Sequence, residues 1–412
     1  MDNRLKTYAL HLALFLLTFL TTAMVGTELS APKLLINEEA VPRFWFTWFL
    51  ELPEHLQGID LNFKFSDLAI GLPYAIAFLT FLTFHEFGHY FASIYHRVKS
   101  SLPYYIPIYL PLPILNIGSF GAVIRLKQMP ESTRKYFDIG IAGPLAGFVI
   151  SLAILIYGFA TLPPLDNYLL EINPDYQEQF GGVPNEAVIR AHVEENAVPT
   201  YFIGTSLLFE LLKDFVPSDP SQVPNHFEII HYPLLFVGYI TLFFTALNLL
   251  PIGQLDGGHI IYGMFGPNVS GVIARIAVIG LVLLGGTGLV DIRAFSGNWQ
   301  EKLSELLTLT IYIAFVVYIM IKVLPLQFRT YVYALSLFIL GVQVIIKWNL
   351  PDQEMSFIWL VYAFIVVRLL GVDHPPAYYE HKVNAPRQIL GWISILIFIL
   401  CFTPTPVQIV GA

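Results

Sequence analysis

The chain has 412 residues, of which 56% are hydrophobic and only 13% are charged. Because soluble globular proteins carry about 25% charged residues, this composition excludes an ordinary soluble protein and indicates that lipid surrounds most of the chain. The net charge of −8 comes without a basic stripe, which argues against nucleic acid as a partner. Cys401 is the one cysteine, so an internal disulfide and a thiolate zinc site are excluded, and any metal must be held by His, Asp or Glu.

Nine apolar runs are long enough, at about 20 residues each, to cross a bilayer. They lie near residues 7–26, 68–95, 136–160, 229–258, 268–290, 304–323, 329–347, 354–371 and 388–409. The first run follows Arg4 and Lys6, so a signal peptide is an alternative interpretation of it. The last three runs are the weakest. The pattern predicts an all-α polytopic membrane protein with about eight to nine transmembrane helices.

Charge is distributed unevenly over the segments that join these runs. The segment between the second and third runs is basic, with Arg97, Lys99, Arg125, Lys127, Arg134 and Lys135. The segment 161–228 is acidic, and only Arg190 and Lys213 oppose its many carboxylates. By the positive-inside rule, the basic segment faces the cytoplasm and the acidic one faces outward. Because an Arg- and Ser-rich transit segment is not recognisable, a bacterial cytoplasmic membrane is the predicted location.

The second run contains the sequence His85-Glu86-Phe87-Gly88-His89. Residues four apart stack on one face of a helix, so the two histidines can bind one metal ion. Glu86 lies about 100° round the helix, from where it can reach a metal-bound water as general base. Ionisable side chains inside an apolar run are costly unless they are paired or ligated. A metal site is therefore favoured over a chance arrangement on a packed helix.

A catalytic zinc site needs a third protein ligand and leaves one position for water. Asp256, at the end of the fourth run, is the one carboxylate between residues 228 and 291. The second and fourth runs point the same way in the predicted topology, so Asp256 lies at a depth similar to that of the histidines. Pro251 and Gly253 interrupt the helix there, which membranes tolerate where the break lines a cavity. A helix-capping role for Asp256 and ligation by His259 are the alternatives.

These motifs carry a family resemblance. His85-Glu86-x-x-His89, followed by Asn248-x-x-Pro251-x-x-x-x-Asp256-Gly257, resembles the site-2 proteases, which are intramembrane zinc metalloproteases. The resemblance covers residues 67–262. It implies Zn²⁺ bound by His85, His89 and Asp256, with Glu86 activating water and Asn248 holding the substrate backbone or the tetrahedral intermediate. It also implies transmembrane protein substrates within membrane lipid, while the identity of the substrate and the oligomeric state stay open.

Residues 101–126 are apolar, but their prolines prevent one regular helix. The end of this stretch, residues 118–124, has the pattern of a strand opened by glycines. The resemblance implies a re-entrant β-hairpin-like segment near the active site. Its edge would bind an unwound substrate by β-augmentation, with Gly118 and Gly121 allowing close approach. A purely structural re-entrant loop is the alternative.

The predicted organisation has three parts. Residues 1–66 form a first transmembrane helix and an extracytoplasmic loop, residues 67–262 form the metalloprotease core, and residues 263–412 form accessory transmembrane helices. Within the core, the spacing of Gly143 and Gly147 on the third run indicates helix packing rather than chemistry.

The predicted function is intramembrane hydrolysis of peptide bonds in or near transmembrane segments, with a Glu-activated zinc water as nucleophile. Three other functions compete with it. A prenyl-peptide-type membrane zinc protease would take a downstream Glu as third ligand. A transporter would place ionisable residues on several spans around a midplane cavity. A catalytically inactive homologue would act as a substrate-binding or chaperone-like protein, and such a homologue usually lacks a ligand or the base.

Overall fold

The structure, a computed structural model, describes residues 3–30, 65–109, 116–198, 200–290, 299–350 and 356–411. Most of the described residues are helical. The helices are α1 (Asn3–Ser30), α2 (Leu68–Tyr95), α3 (Thr133–Ala160), α4 (Leu165–Ile172), α5 (Asp175–Phe180), α6 (Glu186–Asn196), α7 (Leu207–Phe215), α8 (Pro233–Leu249), α9 (Asp256–Phe265), α10 (Pro267–Gly286), α11 (Trp299–Val323), α12 (Val332–Asn349), α13 (Ile358–Ile365) and α14 (Ala385–Cys401). The strands are β1 (Tyr104–Pro107), β2 (Ser119–Val123), β3 (Thr200–Ile203) and β4 (Val407–Val410).

Six helices in the described ranges are long and apolar enough to cross a membrane. They are Leu5–Ser30, Leu68–Tyr95, Thr133–Ala160, Pro267–Leu289, Lys302–Val323 and Leu326–Asn349. Three shorter apolar helices, Pro233–Leu249, Ile358–Leu370 and Ala385–Cys401, lie in the remaining predicted runs. The protein is therefore a mainly α-helical, multi-pass membrane protein with small sheets, as the sequence predicts.

Two of the predicted runs are shorter than expected. α8 ends at Leu249 instead of continuing to residue 258, because Pro251 and a left-handed Gly253 (φ 52°) interrupt the helix. α14 ends at Cys401, and the chain then extends into β4 instead of continuing as helix to residue 409. Pro404 and Pro406 explain this second ending, since proline cannot continue a helix at either position.

The Cα positions divide the chain into two compact units. Unit 1 comprises Met1–Met129, Ala142–Thr245 and Ile409–Ala412, and unit 2 comprises Pro130–Ile141 and Ala246–Gln408.

In unit 1, α1 and α2 approach each other closely through glycines. A Cβ at Gly71 would lie 2.0 Å from the carbonyl oxygen of Ala23, and a Cβ at Gly26 would lie 2.6 Å from the carbonyl oxygen of Gly71. Only glycine leaves room for this backbone-to-backbone contact, which is a common way to join helices in lipid. Deeper along α2, the buried Tyr74 ring stacks on Phe236 of α8.

The antiparallel strands β1 and β2 form a hairpin that α1 and α2 hold in unit 1. Residues 110–115, which include the predicted prolines Pro111 and Pro113, lie outside the described residues. Thr21 on α1 donates its hydroxyl to the carbonyl oxygen of Gly118 at 2.7 Å. The hydroxyls of Tyr105 on β1 and Thr83 on α2 lie 2.8 Å apart, so the hairpin is attached two residues before the His-Glu-x-x-His motif.

The acidic segment of unit 1 contains the short helices α4 to α7. Ser206 caps α7 by accepting a hydrogen bond from the Phe209 amide. On the same helix, Glu210 contacts both Thr205 and Lys213. Burial alone would raise the pKa of the Glu210 carboxyl, but the hydrogen bonds from Lys213 and Thr205 outweigh it, and the pKa lies below its usual value.

Unit 2 contains the first residues of α3, the last residues of α8, the short helix α9 and the helices α10 to α14. A Cβ at Gly285 of α10 would lie 2.8 Å from the backbone nitrogen of Leu360 on α13, so these helices meet through a glycine. A buried polar tie joins α10, α11 and α12. The side-chain nitrogen of Gln343 donates to the carbonyl oxygen of Val282 at 2.9 Å, and the Tyr312 hydroxyl donates to the side-chain oxygen of Gln343 at 3.0 Å.

Candidate metal centre

His85, Glu86 and His89 lie on α2 and are 4%, 6% and 8% exposed, so all three ionisable groups are buried. The two Nε2 atoms of His85 and His89 are 3.1 Å apart. In a tetrahedral zinc site with Zn–N bonds of about 2.0–2.1 Å, two ligand nitrogens lie about 3.3 Å apart. The histidine rings therefore already have nearly the separation that one zinc ion requires.

Glycines of α3 make the space that these two rings occupy. A Cβ at Gly143 would lie 2.1 Å from Nε2 of His89, and a Cβ at Gly147 would lie 3.1 Å from Nδ1 of His85. Gly88, inside the motif, lies equally close to α3, since its Cβ would be 2.5 Å from the carbonyl oxygen of Ala142. The four-residue spacing of the glycines on α3 thus matches the four-residue spacing of the histidines on α2.

This finding extends the interpretation of Gly143 and Gly147 as packing residues. They do join two helices, but the atoms they approach belong to the candidate ligands. The sequence carried a signal for this role, because both pairs repeat at four residues on neighbouring apolar runs. Sequence reasoning missed it, since it does not show which face of the third run meets the second.

Asp256 is the first residue of α9, immediately after the turn that follows α8. Its position at the start of a helix agrees with the capping alternative only in part, because the N-cap residue is Leu255. His85 and His89 belong to unit 1 and Asp256 belongs to unit 2, and each of the three offers one atom of a kind that binds zinc. Asp256 is therefore the first residue of a helix, and it stays the predicted third ligand.

The chemistry of this group fits zinc. Catalytic zinc sites commonly use three ligands drawn from imidazole nitrogen and carboxylate oxygen, and they leave a further position open. Two imidazoles and one carboxylate are the candidate donors here, and the two imidazoles are buried.

His259, the alternative ligand, has a different set of neighbours. Its Nδ1 lies 2.6 Å from Nε2 of His374 in the segment between α13 and α14. Burial and the neighbouring His259 lower the pKa of His374 to about 3, so His374 is neutral at physiological pH and the contact is a hydrogen bond between two rings. Among the residues that the structure describes, the set of side chains that could hold a metal ion does not include His259.

The residues expected to bind substrate lie in different surroundings. Asn248 is half-buried at the end of α8. Gly118 is buried against α1, where its Cβ would lie 2.5 Å from Cα of Thr22. Gly121, in β2, has open space where a Cβ would be. Both glycines have positive φ angles, 80° and 96°, which other residues rarely adopt.

Comparison with known proteins decides the family. The profile of Peptidase family M50 matches residues 73–284, just over half of the chain, and this range includes both candidate ligand motifs. The chain belongs to the M50, or site-2 protease, family.

Relatives of this M50 protein are plant proteins. It is 30% identical over 287 residues to "Probable zinc metalloprotease EGY1, chloroplastic" of Arabidopsis thaliana. The matched residues are 68% of this chain and 44% of the relative. A protein of the same name from Oryza sativa subsp. japonica is 29% identical over 287 residues, or 68% of this chain and 42% of the relative. "Probable zinc metalloprotease EGY2, chloroplastic" of Oryza sativa subsp. indica is 29% identical over 214 residues, or 51% and 32%.

The M50 protein thus spans less than half the length of these curated relatives. No solved structure matches it significantly. The names of the relatives, together with the His-His-Asp group, indicate Zn²⁺ as the cofactor. Because the relatives are named chloroplastic, they do not support the bacterial cytoplasmic membrane that the sequence predicted.

Proposed function

We propose that this protein is an intramembrane zinc metalloprotease that hydrolyses peptide bonds in or beside the transmembrane segments of other proteins. The observation that carries the proposal is the buried pair of His85 and His89, with Nε2 atoms 3.1 Å apart and the buried Glu86 next to His85 in sequence, in a chain of the M50 family. Buried carboxylates and imidazoles in a membrane helix are costly unless they serve a site. Hydrolysis is the reaction that a zinc site with an adjacent carboxylate supports best.

In this proposal, His85, His89 and Asp256 hold the metal. A zinc ion held there would act as a Lewis acid and would lower the pKa of water towards about 7. Glu86 accepts the proton of the attacking water and returns it to the leaving amine. Because Glu86 follows His85 directly on α2, helix geometry places its Cβ about 100° round the helix axis from that of His85. Asn248 holds the substrate backbone or the tetrahedral intermediate by its side-chain amide.

The hairpin gives the substrate an edge to bind. β2 is paired with β1 in a two-stranded sheet, and its other edge carries no third strand within the described residues. Phe120 and Val123 on this strand are 62% and 51% exposed, which leaves them available to a peptide. An unwound transmembrane segment added at this edge would regain main-chain hydrogen bonds. In this arrangement Gly121 permits close approach, and Gly118 holds the hairpin against α1.

The finer points of topology belong to the same proposal. We propose eight to nine membrane crossings, based on the nine apolar helices, and a hairpin that re-enters the bilayer. The basic loop flanking α2 then faces the cytoplasm, or the corresponding compartment of an organelle. The expected partners are transmembrane protein substrates and membrane lipid.

The test compares the purified full chain with its Glu86→Gln variant in liposomes. The substrate is a synthetic apolar peptide whose helix is interrupted by Gly-Pro, with a fluorophore and a quencher on either side. We expect the variant to keep about one zinc per chain and to lose cleavage by about 10²- to 10⁴-fold. Glu131→Gln makes the same chemical change at an exposed carboxylate that contacts Lys135, and it serves as the matched control.

Two results would count against the proposal. If Glu86→Gln cleaves as fast as the wild type, Glu86 is not the general base. If the folded wild-type chain binds no stoichiometric zinc, the protease assignment is wrong, and a substrate-binding or chaperone-like role replaces it.

A further inference from the structure

We infer that the segment of residues 370–383, between α13 and α14, is a positioning element that holds the third metal ligand, Asp256, in place. The inference rests on the proposed function, because it takes Asp256 as a ligand. It goes beyond the family match, which ends at residue 284. All the contacts that carry it lie within unit 2.

The first contacts are to the turn before Asp256. The amide of Gly253 donates to the carbonyl oxygen of Val372 at 3.0 Å, and the side-chain amide of Gln254 donates to the carbonyl oxygen of Leu370 at 3.3 Å. A Cβ at Gly253 would lie 2.1 Å from the carbonyl oxygen of Gly371. The turn and the 370–383 segment therefore touch backbone to backbone, and glycine at residue 253 makes this possible.

The second contacts are to the helix after Asp256. His259, one turn into α9, shares a hydrogen bond with His374, at 2.6 Å. The ring of Tyr262 stacks on the His374 ring with 3.9 Å between centroids, and its hydroxyl accepts a hydrogen bond from the Ala377 amide at 2.9 Å. The same segment thus holds the chain on both sides of Asp256.

These contacts matter because the local structure is too small to hold itself. α9 has only ten residues, and isolated helices shorter than about 12–15 residues are marginal. The turn is compact: a Cβ at Gly257 would lie 2.0 Å from the carbonyl oxygen of Leu249, and one at Gly258 would lie 2.3 Å from that of Gly253. Because the turn is packed this closely, a displacement of residue 253 would also move Asp256.

Metal sites respond strongly to the groups that orient their ligands, and loss of such a group typically costs about 10- to 100-fold in metal affinity. We therefore predict that the zinc dissociation constant depends on the contacts of residues 370–372, His374 and Ala377, which lie more than one hundred positions after Asp256 in the sequence.

The experiment measures the zinc dissociation constant of the full chain in detergent by competition with a chelator. His374→Phe keeps a ring against Tyr262 but removes the hydrogen bond to His259, and we expect it to weaken zinc binding by about 10- to 100-fold. His374→Gln retains a polar group near the position of Nε2, and it should recover much of this loss. Gly253→Ala, which drives the turn away from Gly371, should weaken zinc binding at least as much as His374→Phe.

The matched control lies in the same segment. Asp373→Asn removes an ion pair of 2.8 Å with Arg275, and the Asp373 side chain is 65% exposed. This ion pair contacts neither the turn before Asp256 nor α9. We expect wild-type zinc affinity for it. A second readout is the visible spectrum of the cobalt-substituted protein, which reports ligand geometry. It should change in His374→Phe and stay unchanged in Asp373→Asn, whereas a general loss of stability would move the melting temperature and leave the spectrum of the folded protein unchanged.

The outcomes separate this inference from the function on which it rests. If Asp256→Ala weakens zinc binding while His374→Phe and Gly253→Ala bind zinc as the wild type does, with unchanged cobalt spectra, the positioning role is wrong and the metal site stands. If Asp256→Ala binds zinc as the wild type does, the ligand set itself is wrong, and the inference is overturned together with it. If His374→Phe does not fold, Gly253→Ala and the cobalt spectrum of His374→Gln decide.

Discussion

Replacing Gly143 by alanine tests the contact between α3 and the histidine rings. The new Cβ would lie 2.1 Å from Nε2 of His89 and 2.4 and 2.5 Å from two carbons of the same ring. Non-bonded carbon atoms prefer about 3.5–4.0 Å, so the ring or the helix must move by more than about 1 Å. Metal–ligand distances are held to within about 0.2 Å. His89 therefore cannot keep its place as a ligand.

The expected result is a loss of zinc affinity of about 100-fold, at the upper end of the usual range for groups that support a metal site. This corresponds to about 2.8 kcal/mol of binding free energy. Competition with a fluorescent zinc chelator on the detergent-purified chain measures it, and thermal melting of the metal-free protein shows whether the fold is kept.

Two further glycines of the same helix make a graded series. Gly147→Ala places its Cβ 3.1 Å from Nδ1 of His85, so a smaller loss of about tenfold is expected. Gly158→Ala is the matched control. Its Cβ would lie 3.1 Å from the flexible end of Leu235, and neither residue belongs to the His-Glu-x-x-His motif. Wild-type zinc affinity in Gly143→Ala, or equal losses in Gly143→Ala and Gly158→Ala, would refute the reasoning.

The remaining predictions concern stability and pH. Gly118→Ala should destabilise the protein by about 1–3 kcal/mol in thermal melting, because the φ of Gly118 is 80°. Gly280→Ala is the control and should not destabilise it, since there is open space at that Cβ. Equal melting temperatures for the two variants would contradict this prediction. Arg387→Ala should lower the free energy of unfolding by about 1.5–3 kcal/mol, since Arg387 donates to both carboxylate oxygens of Asp138, at 2.6 and 2.8 Å. Wild-type stability in Arg387→Lys would show that the two-point geometry is unimportant. The depressed pKa of Glu210 stabilises the fold above the ordinary value of 4.5, and this stability is lost as the pH falls through the lower folded pKa. Glu210→Gln should therefore flatten the fall of the melting temperature below pH 4.5, and an unchanged pH profile would rule this carboxyl out as its cause.

The amino-acid sequence determines that the protein is helical and lies in a membrane. Each apolar run can satisfy its own backbone only as a helix in lipid, and each of the nine predicted runs overlaps an apolar helix in the described part of the chain. It also identifies His85 and His89 as a pair, because residues four apart on a helix share one face whatever surrounds it. Asp256 can also be identified from the sequence, because it is the one carboxylate in a long apolar stretch.

Only the tertiary structure shows which helix faces meet. Gly143 and Gly147 have the pattern of ordinary packing residues, and their contact with the histidine rings depends on how α3 is rotated against α2. The contacts of residues 370–383 with the turn before Asp256 join positions more than one hundred residues apart. Periodicity and spacing describe one element at a time, whereas these contacts arise from the packing of separate elements, where a side chain's neighbours are chosen by shape and hydrogen bonding across the fold.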